Sequence, residues 1–246
     1  MSEMKRKFAA FDIDGTIFRW QLYHELFDAL CAAKIIEPDE MKRVLAARTS
    51  WNERQISFRD YEIILVEIME QAIQGQPEHI IHTMAKEILT HKGKRVYAYT
   101  RNLIAHLKQQ GYFTVAISGS HQQLVEPFAR LYGIDIAYGA KYEILDGVFG
   151  KSQGPVLGQK GSILQQLVEE YELTWDESYA VGDSGGDAGM LELVNHPIAF
   201  NPDEKLYKIA REHNWKIVIE RKSMIYELEP QKGNDGTYIL AQTNVR

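Results

Sequence analysis

Apolar positions fall into two rhythms along the chain, and the change of rhythm divides it. Residues 7–13 (KFAAFDI) form a short apolar run, the pattern of a strand buried on both faces. From Ile17 to His91 apolar residues recur only at helical spacing. Leu22, Leu26, Ala29 and Leu30 make a first stripe. Pro38 opens a second, followed by Met41, Val44 and Leu45. Ser57 and Asp60 resemble a capping box ahead of Tyr61, Ile64, Leu65, Ile68, Met69 and Ala72. Pro77 opens a fourth stripe with Ile80, Ile81, Met84, Ala85, Ile88 and Leu89.

Beyond His91, strand and helix patterns alternate. Residues 94–111 predict a helix ended by Gly111, and 112–118 (YFTVAIS) a strand. A helix is expected over 120–132, with a kink or short break at Pro127. Residues 134–150 read as a short strand and a hairpin-like excursion. Helices follow at 160–171, 187–194 and 203–213, and strands at 178–184, 196–200 and 215–220. Residues 229–246 are partly polar, and the pattern assigns them no place. Alternation of this kind predicts an α/β fold, a doubly wound parallel sheet covered on both faces. The core is expected over 1–16 and 92–246, with an inserted all-helical cap over 17–91.

Composition narrows the classes. The chain has 246 residues with 28 basic and 34 acidic side chains, a net charge of −6, which argues against a nucleic-acid surface as its main business. No apolar run reaches the roughly 18 residues needed to span a bilayer. The first residues hold no apolar stretch of signal-peptide length, because Asp12 and Asp14 interrupt it. The only cysteine, Cys31, excludes an intrachain disulfide and reads as a packed thiol in LFDALCAA. A cytoplasmic protein, monomer or homodimer, with neither nucleic-acid nor membrane partner, is the expectation.

The candidate chemistry sits at three strand ends. The first strand finishes in Asp12-Ile13-Asp14-Gly15-Thr16, the second in Ser118-Gly119-Ser120, the third in Gly182-Asp183-Ser184-Gly185-Gly186-Asp187. In an open parallel sheet ligands bind outside the carboxyl ends of the strands, so these clusters should share one crevice. Crowded carboxylates raise one another's pKa, and a divalent cation removes the conflict. Oxygen ligands without nearby His or Cys suit Mg²⁺. Ser118 and backbone N–H groups around Gly119 could donate to a phosphate, and Lys160, opening a helix, could supply positive charge. Asp12 would then act as nucleophile, and Asp14 as acid and base. Blander readings stand beside these. Asp14, Asp183 or Ser118 can simply cap helices, and Lys160 can be a solvated surface group. GDSGGDAG does not fit the G-x-G-x-x-G of a dinucleotide loop.

Taken together, D-x-D-G-T at 12–16, Ser118 in VAISGS, Lys160, and G-D-x-x-x-D at 182–187 resemble the four motifs of the haloacid-dehalogenase-type phosphatase superfamily. SGSHQQLVEPFARLYGID and PIAFNPDEKLYKIAREHNW are similar to its phosphoserine-phosphatase-like branch. The resemblance implies a Rossmann-like core with a helical cap. It implies Asp12 as nucleophile and Mg²⁺ ligand. Asp14 would be the acid/base and lend its backbone carbonyl to the metal, Asp183 would complete the ligands, and Asp187 would support metal and Lys160. Ser118, Gly119 and Lys160 would hold the phosphoryl group.

Phosphoserine phosphatases, on the same resemblance, carry a glutamate nine residues after the nucleophile and an arginine seven after a cap phenylalanine. This chain has Gln21, and Leu65 seven after Phe58. Both charged contacts for an amino acid are replaced, which leaves Gln21 as the candidate substrate contact and Arg59 or Arg19 as candidate substitutes for the lost charge. Trp20, Tyr23 and His24 could line the cap side of the pocket or simply pack in its core. The expected function is Mg²⁺-dependent hydrolysis of a small phosphorylated metabolite through an aspartyl-phosphate, away from phosphoserine. The alternatives are a phosphoserine phosphatase, a phosphomutase, a non-catalytic phosphate-binding module and a Rossmann-type dinucleotide binder.

Overall fold

The computed structural model describes residues 5–231 and 237–245. Strand β1 (Arg6–Phe11) is followed by four helices, α1 (Leu22–Ala32), α2 (Pro38–Asn52), α3 (Phe58–Ile73) and α4 (Glu78–Lys92). The alternation resumes with α5 (Ala98–Gln109), β2 (Phe113–His121), α6 (Gln122–Leu131) and β3 (Ile136–Ala140). A hairpin, β4 (Tyr142–Leu145) and β5 (Val148–Ser152), precedes α7 (Lys160–Glu170) and β6 (Leu173–Gly182). Then come α8 (Ala188–Leu191), β7 (His196–Phe200), α9 (Glu204–Glu212), β8 (Lys216–Arg221), β9 (Met224–Pro230) and β10 (Tyr238–Val245).

The main sheet has the order β10-β9-β8-β7-β6-β1-β2-β3. From β3 to β8 neighbours run parallel, while β9 and β10 are antiparallel additions. Strand order reverses at β1, which lies between β2 and β6, so the carboxyl ends of these three strands meet at a topological switch point. Alternate residues of β1 feed two cores. Phe8 and Ala10 face α7, α8 and α9, whereas Ala9 and Phe11 face a larger core shared with α1–α6.

Local chemistry accounts for the helix starts. Pro38 occupies the first turn of α2. Ser57 caps α3, its Oγ accepting from Asp60 N at 3.1 Å while the Asp60 carboxylate accepts from Ser57 N. No side chain of its own caps α5. The buried Glu220 carboxylate from β8 accepts from Ala98 N and Tyr99 N at 3.1 and 2.9 Å instead. The four-helix block is clasped to the hairpin by main-chain hydrogen bonds as well as by packing of Tyr142 and Phe149 into the shared core. Gly75 N donates to Phe149 O, Glu78 N to Gly147 O and Phe149 N to Gln76 O, at 2.8, 2.8 and 3.0 Å.

Some expectations are corrected. Helix α5 begins at Ala98 because Tyr97 N donates to Ile17 O and Val96 bridges Phe18, which holds residues 96–97 extended. Helix α6 runs unbroken through Pro127. One missing donor is outweighed there by the burial of Leu124, Val125, Phe128 and Ala129. The unplaced segment supplies the end of β9 and all of β10, with residues 232–236 and 246 outside the described residues. A cavity of about 1490 Å³ forms an open groove between α5 and strands β7–β10, and none of the carboxylates at the switch point lines it. Among the described residues no helix is long and apolar enough to cross a membrane.

Candidate active site

Asp12 leaves β1 with its backbone N–H donating to Val181 O of β6 at 2.9 Å, which seats it at the switch point. Its Oδ1 accepts from Lys160 Nζ at 2.6 Å, and the same ammonium donates to Asp187 Oδ1 at 2.6 Å. All three side chains are buried. The other oxygen of Asp187 accepts from Asp183 N, Ser184 N and Ser184 Oγ at 2.9–3.1 Å. Asp187 is thus consumed by internal donors, which fixes the loop that carries Asp183. Carboxylate oxygens of Asp12, Asp183 and Asp187 lie within 4.8 Å of one another.

Asp14 turns the other way. Its Oδ2 accepts from Ser118 Oγ at 2.5 Å and Ser120 Oγ at 2.8 Å, and its Oδ1 accepts from Leu22 N in the first turn of α1. Ser118 and Ser120 share a face of β2 because side chains alternate along a strand. Two carboxylates two residues apart are therefore separated into different surroundings, one on an ammonium and the other on hydroxyls. Gly15 makes the turn between strand and helix possible. Its φ is +85°, and a Cβ there would stand 2.1 Å from Asp183 Oδ2. Gly119 lies half-buried between the two serines, and a Cβ there would meet only Leu157, at 3.7 Å.

Burial dominates the electrostatics. It pushes Asp12 up to about 7 against the opposing pull of Lys160, with Asp187 and Asp14 adding to the rise. Asp14 is raised by burial despite the hydrogen bonds from Ser118, Leu22 and Ser120. Asp183 is raised well above the carboxylate range by burial and then by Asp12 and Asp187. Burial pulls Lys160 down, but the charges of Asp12 and Asp187 outweigh it and keep the ammonium protonated. One cation thus faces four carboxylates. The donor set is hard oxygen only, which fits Mg²⁺. Asp12 and Asp183 keep oxygens that accept no hydrogen bond from the described residues, whereas Asp187 does not.

On the helical side, Gln21 precedes α1 as its N-cap residue, half-buried, and its side chain joins none of these hydrogen bonds. His24 is buried among Trp20, Tyr23 and Tyr61, with ring centroids 4.9, 4.5 and 5.3 Å away, and neither ring nitrogen has a partner among the described residues. It is no part of the carboxylate cluster. Leu65 is fully buried in the core. Three contributors escaped the sequence reading as site residues. Ser120 had a signal, the two-residue spacing from Ser118. Thr16 Oγ1, which donates to Asp183 Oδ1 at 3.4 Å, had one in its place in the first cluster. Glu62, which accepts from Tyr23 Oη at 2.8 Å, had none.

The haloacid dehalogenase-like hydrolase model matches residues 9–192, so the chain belongs to that family. Several of the relatives it matches are phosphoserine phosphatases. Phosphoserine phosphatase SerB2 of Mycobacterium tuberculosis is 28% identical over 141 residues, 56% of this chain and 33% of that protein. The chain thus spans about a third of that relative. Histidinol-phosphatase of Neisseria meningitidis serogroup C is 25% identical over 233 residues, 87% of this chain and 98% of that protein. A crystal structure of a Bordetella pertussis Tohama I protein of unknown function shares the fold, with a TM-score of 0.71 at 21% identity over 88% of this chain and 99% of that one.

Proposed function

We propose that the chain is a Mg²⁺-dependent phosphatase that hydrolyses a small phosphomonoester through phosphorylated Asp12. The observation that carries this reading is the division between Asp12 on Lys160 and Asp14 on two serines. An Asp12 oxygen attacks phosphorus, the ester P–O bond breaks, and the leaving oxygen takes a proton from Asp14. Water then attacks the phosphoryl group, gives its proton to Asp14 and releases phosphate, which restores both carboxyl groups. The raised pKa of Asp14 suits a group that must carry a proton near neutrality. Lys160 neutralises charge on the phosphoryl oxygens, and Ser118, freed from Asp14, donates to them beside the Gly119 backbone. Asp12, Asp183 and the Asp14 carbonyl would hold Mg²⁺, which draws charge from the phosphoryl oxygens, while Asp187 fixes the surroundings.

Residues 17–91 are assigned as a cap over this site, a reading supported by the Leu22 N–H on Asp14. The substrate is read as something other than phosphoserine, because Gln21 is uncharged and Leu65 faces the core. The relatives' names, a phosphoserine phosphatase and a histidinol-phosphatase, put both of those esters in the test. The experiment is phosphate release from these, sugar phosphates and nucleoside monophosphates, with Mg²⁺ or EDTA. Release is expected with Mg²⁺ only, and Asp12→Asn is expected to lose at least about 10⁴-fold in kcat. Unchanged release by Asp12→Asn, or no release from any ester, overturns the reading.

A further inference from the structure

Glu62 lies on α3 one turn beyond Phe58. Its carboxylate accepts from Tyr23 Oη at 2.8 Å. Tyr23 is 4% exposed and immediately follows Leu22, whose N–H holds Asp14. A continuous run of contacts therefore leads from Asp14 through the first turn of α1 to Glu62. Burial raises the Glu62 carboxyl and the Tyr23 hydrogen bond pulls it back, while the charge of Asp14 adds to the rise and Lys160 and Arg59 oppose it more weakly. The Tyr23 phenol is held well above its ordinary value by burial and by Glu62, so it stays a donor. No ion pair to Glu62 forms among the described residues, and Arg59 is exposed.

A half-buried carboxylate near Asp14 and without a close cation is costly in the empty protein. Arg48 of α2, half-buried, acts on His24 and Tyr61 and forms no pair with Glu62 among the described residues. Leu65 is buried in the core. Arg19 is exposed and lies over the Tyr97 ring at 5.4 Å, its N–H on Arg95 O. The helical wall thus presents to an incoming ester a negative group with no ion-pair partner among the described residues. We propose that Glu62, held by Tyr23, binds an ammonium group of the substrate, and that the substrate class is a phosphorylated amino alcohol. This rests on the phosphatase reading above.

The test compares kcat/KM for ethanolamine phosphate with that for ethylene glycol monophosphate, which has a hydroxyl where the first has an ammonium. p-Nitrophenyl phosphate reports the core chemistry. The wild type is expected to favour the amine by at least about tenfold, mainly through KM, as one charge-assisted hydrogen bond allows. Glu62→Gln is expected to bring that ratio close to one, and Tyr23→Phe to lower it part way. Glu62→Arg should shift preference toward phosphoglycolate, which carries a carboxylate there. Thermal melts of each variant confirm folding, and the ratio itself is insensitive to the fraction folded. Turnover of p-nitrophenyl phosphate with no amine preference overturns the Glu62 assignment alone. So does an amine preference that survives in Glu62→Gln. No turnover of any ester overturns the phosphatase reading, and the assignment with it.

Discussion

The strand-end cluster and the helical block that meets it are built on opposite terms. At the strand ends almost every polar atom is committed. Lys160 bridges Asp12 and Asp187, Asp187 accepts from three further donors, and Asp14 is held by two hydroxyls and one N–H. In the block, the polar groups nearest Asp14 are loosely committed. Among the described residues His24 has no partner, Gln21 joins no site bond, and Glu62 bonds only Tyr23. The contrast separates a reaction, which needs preorganised charge, from selection, which needs a surface that can vary.

The sharpest way to break the contrast is to remove the one cation. Lys160→Ala strands Asp12 and Asp187 in a buried site, and metal-free protein should lose roughly 3–5 kcal/mol in urea denaturation. A loss below about 1 kcal/mol would mean that the carboxylates are solvated and the cluster is not preorganised. Added Mg²⁺ should restore part of the loss. Gly15→Ala comes next. The new methyl collides with Asp183 Oδ2 at a φ of +85°, so Mg²⁺ affinity measured by calorimetry should fall by about 10–100-fold. Wild-type affinity in this variant would show that Asp183 does not ligate the metal.

A third test sharpens the other side. Burial, aided by Arg48, lowers His24 to about 3 from the ordinary 6.5. Below pH 6.5 the unfolded chain therefore takes up a proton that the folded one refuses, and stability falls with pH, by up to about 1.4 kcal/mol per pH unit. His24→Phe cannot titrate. Its stability relative to wild type should rise steadily between pH 6.5 and 4 and show no such trend above pH 7. Parallel pH curves for the two proteins would place His24 in contact with solvent.

This division also governs what could be read in advance. The cluster was legible because Asp12, Asp183 and Ser118 stand at the ends of apolar runs, and sheet topology alone brings such ends together. Pro38 and the Ser57–Asp60 box marked their helices because capping is local chemistry. Glu62 was illegible. On a helix of mixed composition a glutamate reads as solvated, and only packing against Tyr23 turns it inward. Strands β9 and β10 were illegible for a related reason. The extended form of β9 depends on pairing with β8 and that of the edge strand β10 on pairing with β9, and strands held by such pairing carry weak patterns of their own. Pro127 shows the converse, a strong local signal overruled by burial on both sides of it.

The clasp between residues 75–78 and the hairpin has an evolutionary consequence. Its three hydrogen bonds join main chain to main chain, and Pro77, which has no N–H, leaves all three donors to its neighbours. Side-chain replacement there changes no donor and no acceptor unless proline enters at 75, 78 or 149. The four helices can therefore be rewritten, residue by residue, while these three bonds to the hairpin persist. On the phosphatase reading proposed above, a fold wired in this way can exchange its substrate without renegotiating its chemistry.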